Sequence, residues 1–140
     1  MWLKILNFAE KHNNQPMTLR SSEKDISSEL VDAIVKGIQE KKGEEIVSLN
    51  LGKIQSTVCD FFVVCHGNSR THATAIAESV EEEVRKICRI NPARREGYIN
   101  GEWLLLDYLD VVVHVFQEPV RRHFQIEDLW ADVPAERIGS

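Results

Sequence analysis

Three groups of residues carry side chains capable of chemistry: the turn Gly67-Asn68-Ser69; the set Cys59, Cys65, His66 and His72; and the acids Asp107 and Asp110 ahead of His114. The first could hold an anion, because a glycine-containing turn that opens a helix offers free backbone N–H groups at the positive end of the helix dipole. Phosphoryl or nucleotidyl transfer there would also need paired carboxylates to hold Mg²⁺ against the phosphates. No acid follows Ser69 until Glu78, so Ser69 reads as a helix N-cap and Gly67 as the residue that eases the turn. The second set contains zinc-ligand types, yet Cys59 and Cys65 stand six residues apart, roughly 20 Å along a regular strand. Zinc lies about 2.3 Å from a thiolate. Both thiols therefore read as small buried hydrophobes, and a Cys–His nucleophile has no evident third group to orient its base. No catalytic residue, metal or cofactor is expected.

The third group sits among apolar runs. Leu104 to Leu106 and Val111 to Val113 are apolar at every position, the pattern of strands covered on both faces. Asp107 and Asp110 flank Tyr108-Leu109 between those strands, where Asp serves turn chemistry. A buried polar group without a partner costs roughly 1–3 kcal/mol, so Asp107 and His114 must satisfy the fold or meet something outside it.

The elements that position these residues follow from periodicity. Ile26, Leu30, Ala33, Ile34 and Ile38 mark a first helix ending at Lys41-Lys42-Gly43. Glu45 to Leu51 and Asp60 to Cys65 read as strands. Ala73, Ile76, Ala77, Val80, Val84, Ile87 and Cys88 form one stripe of a second helix. The strands at Trp103 and Val111 come next. A third helix opens near Pro119 and packs Val120, Phe124, Leu129 and Trp130. The expected fold is a single α/β domain with a mixed β-sheet flanked by helices, in the order α-β-β-α-β-β-α, nucleotidyltransferase-like but without the catalytic acids. Residues 1–22 read as an N-terminal extension, with Met17 an alternative start; 23–133 as the domain; and 134–140 as a C-terminal tail.

Composition narrows the function classes. At 140 residues, 43% hydrophobic and 28% charged, the chain can build one core without metals or disulfides. Its formal net charge of -5 argues against a DNA or RNA binder that lives on phosphate contacts. Three cysteines and no secretion signal point to the cytoplasm. Met1 to Phe8 is too short and too polar for a membrane span.

The segments D-x-F-V-x-C-x-G-x-S at Asp60 to Ser69, Glu96-Gly97, W-x-L-L-D-x-x-D-V-V-V-H-V-F at Trp103 to Phe116 and R-x-F-x-I-E-x-L-W at Arg122 to Trp130 together resemble the ribosomal silencing factor (Iojap) family. The resemblance spans about Ser22 to Val133. It implies a small non-enzymatic α/β protein that binds the large ribosomal subunit through its protein number fourteen and keeps the small subunit away. Partner contacts are then expected from Trp103, Asp107, Asp110, His114, Glu96, Arg121 and Phe124. Trp103 and Asp107 share one strand face by the period of two, an aromatic beside a carboxylate for a basic partner. Arg94-Arg95 and Arg121-Arg122 read as solvated surface pairs, either of which could take one or two phosphates where rRNA lies within reach. The family usually has Gly where this chain has Leu109, which puts the turn geometry in question. A homodimer is compatible with the resemblance. The alternative reading is a small nucleotidyltransferase using Ser69 and Asp107.

Overall fold

The computed structural model describes residues 20–52 and 59–139. The N-terminal residues 1–19 and the question of Met17 lie outside them. Six strands form one sheet in the order β3-β4-β5-β2-β1-β6: β1 (Glu44–Asn50), β2 (Phe61–Gly67), β3 (Arg94–Glu96), β4 (Trp103–Asp107), β5 (Val111–Gln117) and β6 (Ala135–Ile138). The central pair β2 and β5 is parallel and every other pair is antiparallel. The mixed sheet, single domain and flanking helices match the expected class.

Helices α1 (Arg20–Glu40) and α2 (Arg70–Cys88) cover one face. Their stripes, Leu30, Ala33, Ile34 and Ile38 with Ala73, Ile76, Ala77, Val80 and Val84, pack on Val63, Cys65, Leu104, Leu106, Val113 and Val115. Beyond Val84 the stripe reaches the edge of the core: Ile87 is 42% exposed, while Cys88 is partly buried and still packs against the cluster. Ser69 caps α2, its hydroxyl oxygen accepting the His72 N–H at 3.0 Å. A Cβ on Gly67 would lie 2.9 Å from the Ala73 nitrogen, so the turn into α2 admits only glycine without a shift.

The other face carries Val47, Leu49, Phe62, Val64, Trp103, Leu105, Val112 and Phe116. It is roofed by a short helix α3 (Glu118–Phe124) and a 3-10 turn (Ile126–Trp130). The expected third helix thus divides at Gln125, whose φ of 44° closes α3 in the left-handed region.

Two strands were not expected. β3 holds three residues, Arg-Arg-Glu, and β6 is exposed along most of its length, so neither shows the apolar alternation that marks a strand. Both are sheet edges, where pairing on one side suffices. β6 pairs with β1 from Ile46–Ile138 to Leu49–Ala135. Residues 135–138 are therefore part of the sheet rather than of a tail, and α1 begins inside the segment assigned to the extension.

Leu109 adopts the conformation that a glycine would supply, with φ of 73°. Its backbone N–H donates to Asp107 Oδ1 at 2.8 Å, an Asx turn that holds the left-handed residue in place.

Candidate partner-binding face

Trp103, Leu105 and Asp107 do share one face of β4. Pairing sets Glu96 and Arg94 of β3 beside Leu105 and Asp107, and His114 and Phe116 of β5 beside Leu105 and Trp103. The structure thus brings most of the expected site residues together. It does not open them to solvent. Trp103 is 3% exposed, and Asp107, His114 and Arg121 are 1% exposed each.

The reason is the roof. The Trp103 ring lies 4.8 Å from Phe116 and 5.5 Å from Phe124 of α3, centroid to centroid. Its Nε1–H donates to His114 Nδ1 at 3.1 Å. A ring nitrogen that accepts leaves the proton on Nε2, so His114 is a neutral imidazole, and burial pushes its pKa down to about 3. The expectation that Trp103 and Asp107 present an aromatic and a carboxylate to a partner is corrected: both point into a covered layer. Half-exposed Glu96, Asp110 and Phe124 remain at the rim, with the Arg94–Glu96 ion pair at 3.0 Å along the β3 edge and Leu109 44% exposed at the turn.

Beneath α3 lies a polar cluster that sequence reading missed. An irregularity between Glu44 and Val47, with Glu45 at φ of 47°, bulges β1. Glu44 then reaches His66 of β2, with Oε2 3.2 Å from Nε2, while Glu45 reaches α3. The Arg121 guanidinium is fully buried, forked onto Glu127 at 2.9 and 3.0 Å, with Nη1 2.9 Å from His66 Nδ1. The expected solvated pair Arg121-Arg122 is therefore split, and only Arg122 faces solvent. It meets Glu45 at 2.9 Å through both carboxylate oxygens. Such an exposed pair is screened and adds little. Arg122→Ala is expected to leave the urea midpoint at the wild-type value in physiological salt, and a clear downward shift would show that this pair holds α3.

Glu44, His66 and Glu118 place three ligand-type atoms within 4.8 Å of one another. They do not suit a metal ion. Arg121 always donates, so His66 Nδ1 accepts and Nε2 keeps its proton, directed at Glu44. A metal would need the Nε2 lone pair, and metal-bound histidines normally donate from the other nitrogen. The thiols are no better placed: Cys59 and Cys65 are buried and free, and burial raises the Cys65 thiol to about 12.

The nucleotidyltransferase alternative fails on register. Asp107 pairs with Val112, which pairs with Phe62 at the start of β2, whereas Ser69 follows Gly67 at its end. Five strand residues, about 17 Å, separate those levels. Ser69 and Asp107 cannot act on one substrate atom.

Residues 24–139 match the family described as "Ribosomal silencing factor during starvation". The ribosomal silencing factor of Halalkalibacterium halodurans is 40% identical over 115 residues, covering 80% of this chain and 94% of that protein. A crystal structure of a Chromobacterium violaceum protein superposes with a TM-score of 0.70 at 32% identity, covering 74% of this chain and 85% of that one. A mouse protein named "Mitochondrial assembly of ribosomal large subunit protein 1" is 24% identical over 102 residues, 71% of this chain and 44% of its own length.

Proposed function

Because this chain belongs to the ribosomal silencing factor family, we propose that it represses translation by binding the large ribosomal subunit, through the protein numbered fourteen, and sterically blocking the small subunit. The family is regulatory and not enzymatic. The observation that carries the reading is the match over residues 24–139, which extends from α1 through β6.

Steric exclusion needs no catalytic group, only an interface of about 800 Å² per partner. The contact surface we assign is the rim around the covered sheet face: Glu96, Asp110, Leu109 and Phe124. A net charge of -5 suits a basic ribosomal protein better than rRNA. The mouse relative's name, which refers to large-subunit assembly, agrees with a large-subunit partner. Among the described residues no helix is long and apolar enough to cross a membrane. A homodimer is a separate question, which light scattering answers without bearing on the ribosome.

The test is co-sedimentation with isolated subunits followed by a joining assay. The protein is expected to pellet with large subunits and not with small ones, and to lower the yield of joined ribosomes when added before the small subunit. Binding should weaken only slightly with salt, because few counterions are released. Pelleting with small subunits, or undiminished joining at saturating occupancy, would defeat the reading. A loss of several decades of affinity between low and physiological salt would replace the protein partner with RNA.

A further inference from the structure

We propose that His66 is a proton-operated latch: in its neutral form it anchors the buried Arg121 guanidinium and seats the C-terminal end of α3 over Trp103, and when protonated it turns its charge to Glu44 and Glu118 and lets that end go. The inference concerns the fold itself and stands independently of any ribosomal partner.

The geometry sets two exclusive arrangements on one ring. Arg121 Nη1 lies 2.9 Å from His66 Nδ1, and Arg121 has no proton to give up. Protonation must occur at Nδ1, because Nε2 already carries a proton. It places N–H against N–H and a second cation beside a buried one. On the other side of the ring, Glu44 Oε2 of β1 and Glu118 Oε2 of α3 stand 3.2 and 3.7 Å from Nε2, ready to hold the imidazolium. The remaining charges around the ring are Glu45 of β1, Arg122 of α3 and Glu127 of the 3-10 turn, which reaches it through Arg121. β5 places uncharged Phe116 and Gln117 beside His66 and Gly67.

The consequence for α3 follows from which ties are local. The Arg121–Glu127 fork joins residues six apart and fastens α3 only to the turn that follows it. On the sheet side, Arg121 has His66 Nδ1 and a longer contact to the Glu44 carbonyl at 3.4 Å. The Arg122–Glu45 pair is exposed to solvent and screened. Losing the His66 contact therefore frees the end of α3 that carries Phe124, whose ring covers Trp103, while Glu118 keeps the first turn in place. Burial first, and the Arg121 charge next, hold the His66 pKa below the usual histidine value, so at neutral pH the latch is closed.

The test is ¹⁵N detection of the histidine rings with backbone hydrogen exchange on the full chain, from about pH 7.5 to about pH 5, the window in which histidines switch. His66 is expected to show an unprotonated Nδ1 at the upper end. As it gains its proton, the amides of Arg121 to Gln125, corrected for intrinsic rates, should lose up to about tenfold protection per pH unit, while α1 and α2 remain better protected than these amides throughout. In His66→Gln, whose amide oxygen can still accept from Arg121, the pH dependence should vanish. Should that variant not fold, the double variant Glu44→Gln with Glu118→Gln, both at half-exposed positions, must move the transition to lower pH. The proposal is overturned if Nδ1 is already protonated at the upper end, if His66 titrates without loosening residues 121–125, or if the transition is unchanged in the variant that folds.

Discussion

Trp103→Ala is expected to cost about 3–5 kcal/mol of folding stability, the range for removing a large buried aromatic. The ring is 3% exposed and packs on Phe116 and Phe124. Its removal would leave a void between sheet and roof and leave His114 Nδ1 without its donor. Trp103→Phe separates the two effects: it keeps most of the packing and loses the hydrogen bond, at about 1–3 kcal/mol for the acceptor left unsatisfied. Urea denaturation of both variants measures the difference. An interface anchor would behave otherwise, costing at least about 2 kcal/mol in binding with the fold intact. An alanine variant as stable as the wild type would mean that Trp103 faces solvent in solution and that α3 is not its lid.

That contrast shows which parts of the fold are legible along the chain. α1, α2 and the four longer strands announce themselves because each buries a periodic apolar set, and Asp107 to Leu109 reads as a turn because its acid sits at a strand end. Legibility fails where the third dimension decides. Trp103 at the mouth of a strand has the same local pattern whether the face above it is open or roofed, and the roof is built by Phe124, Ile126 and Val133, which come after it. Arg121 and Arg122 look alike in sequence, yet one is the largest fully buried side chain and the other is exposed. The difference comes from Glu127 and His66, six residues later and fifty-five earlier. β3 and β6 carry no pattern because an edge strand needs no buried side. Glu45 bulges β1 without a glycine to signal it.

The second large effect is a loss of stability on acidification that begins well above the carboxylate range. His114 is fully enclosed, stacks near Phe116 with Phe62 edge-on at 4.7 Å, and has its pKa lowered from 6.5 to about 3 by burial alone. The folded state thus keeps it neutral while the unfolded chain protonates it below about pH 6.5. A depressed histidine pKa contributes stability that is complete above that pH and is lost as pH falls, by up to about 1.4 kcal/mol per pH unit for the one proton. Carried to the folded pKa the total approaches about 5 kcal/mol, so the protein should unfold before reaching it. His66, shifted in the same direction, adds to the slope. In His114→Asn an amide oxygen can stand near the Nδ1 position and accept from Trp103, but nothing titrates. That variant should be less stable than wild type at neutral pH, for want of ring volume, and should lose stability less steeply by about one proton between pH 6 and 4. Urea midpoints across that range give both slopes. Parallel slopes in the two proteins would show that His114 is reached by water in the folded state, and that the layer between the sheet and α3 is not dry.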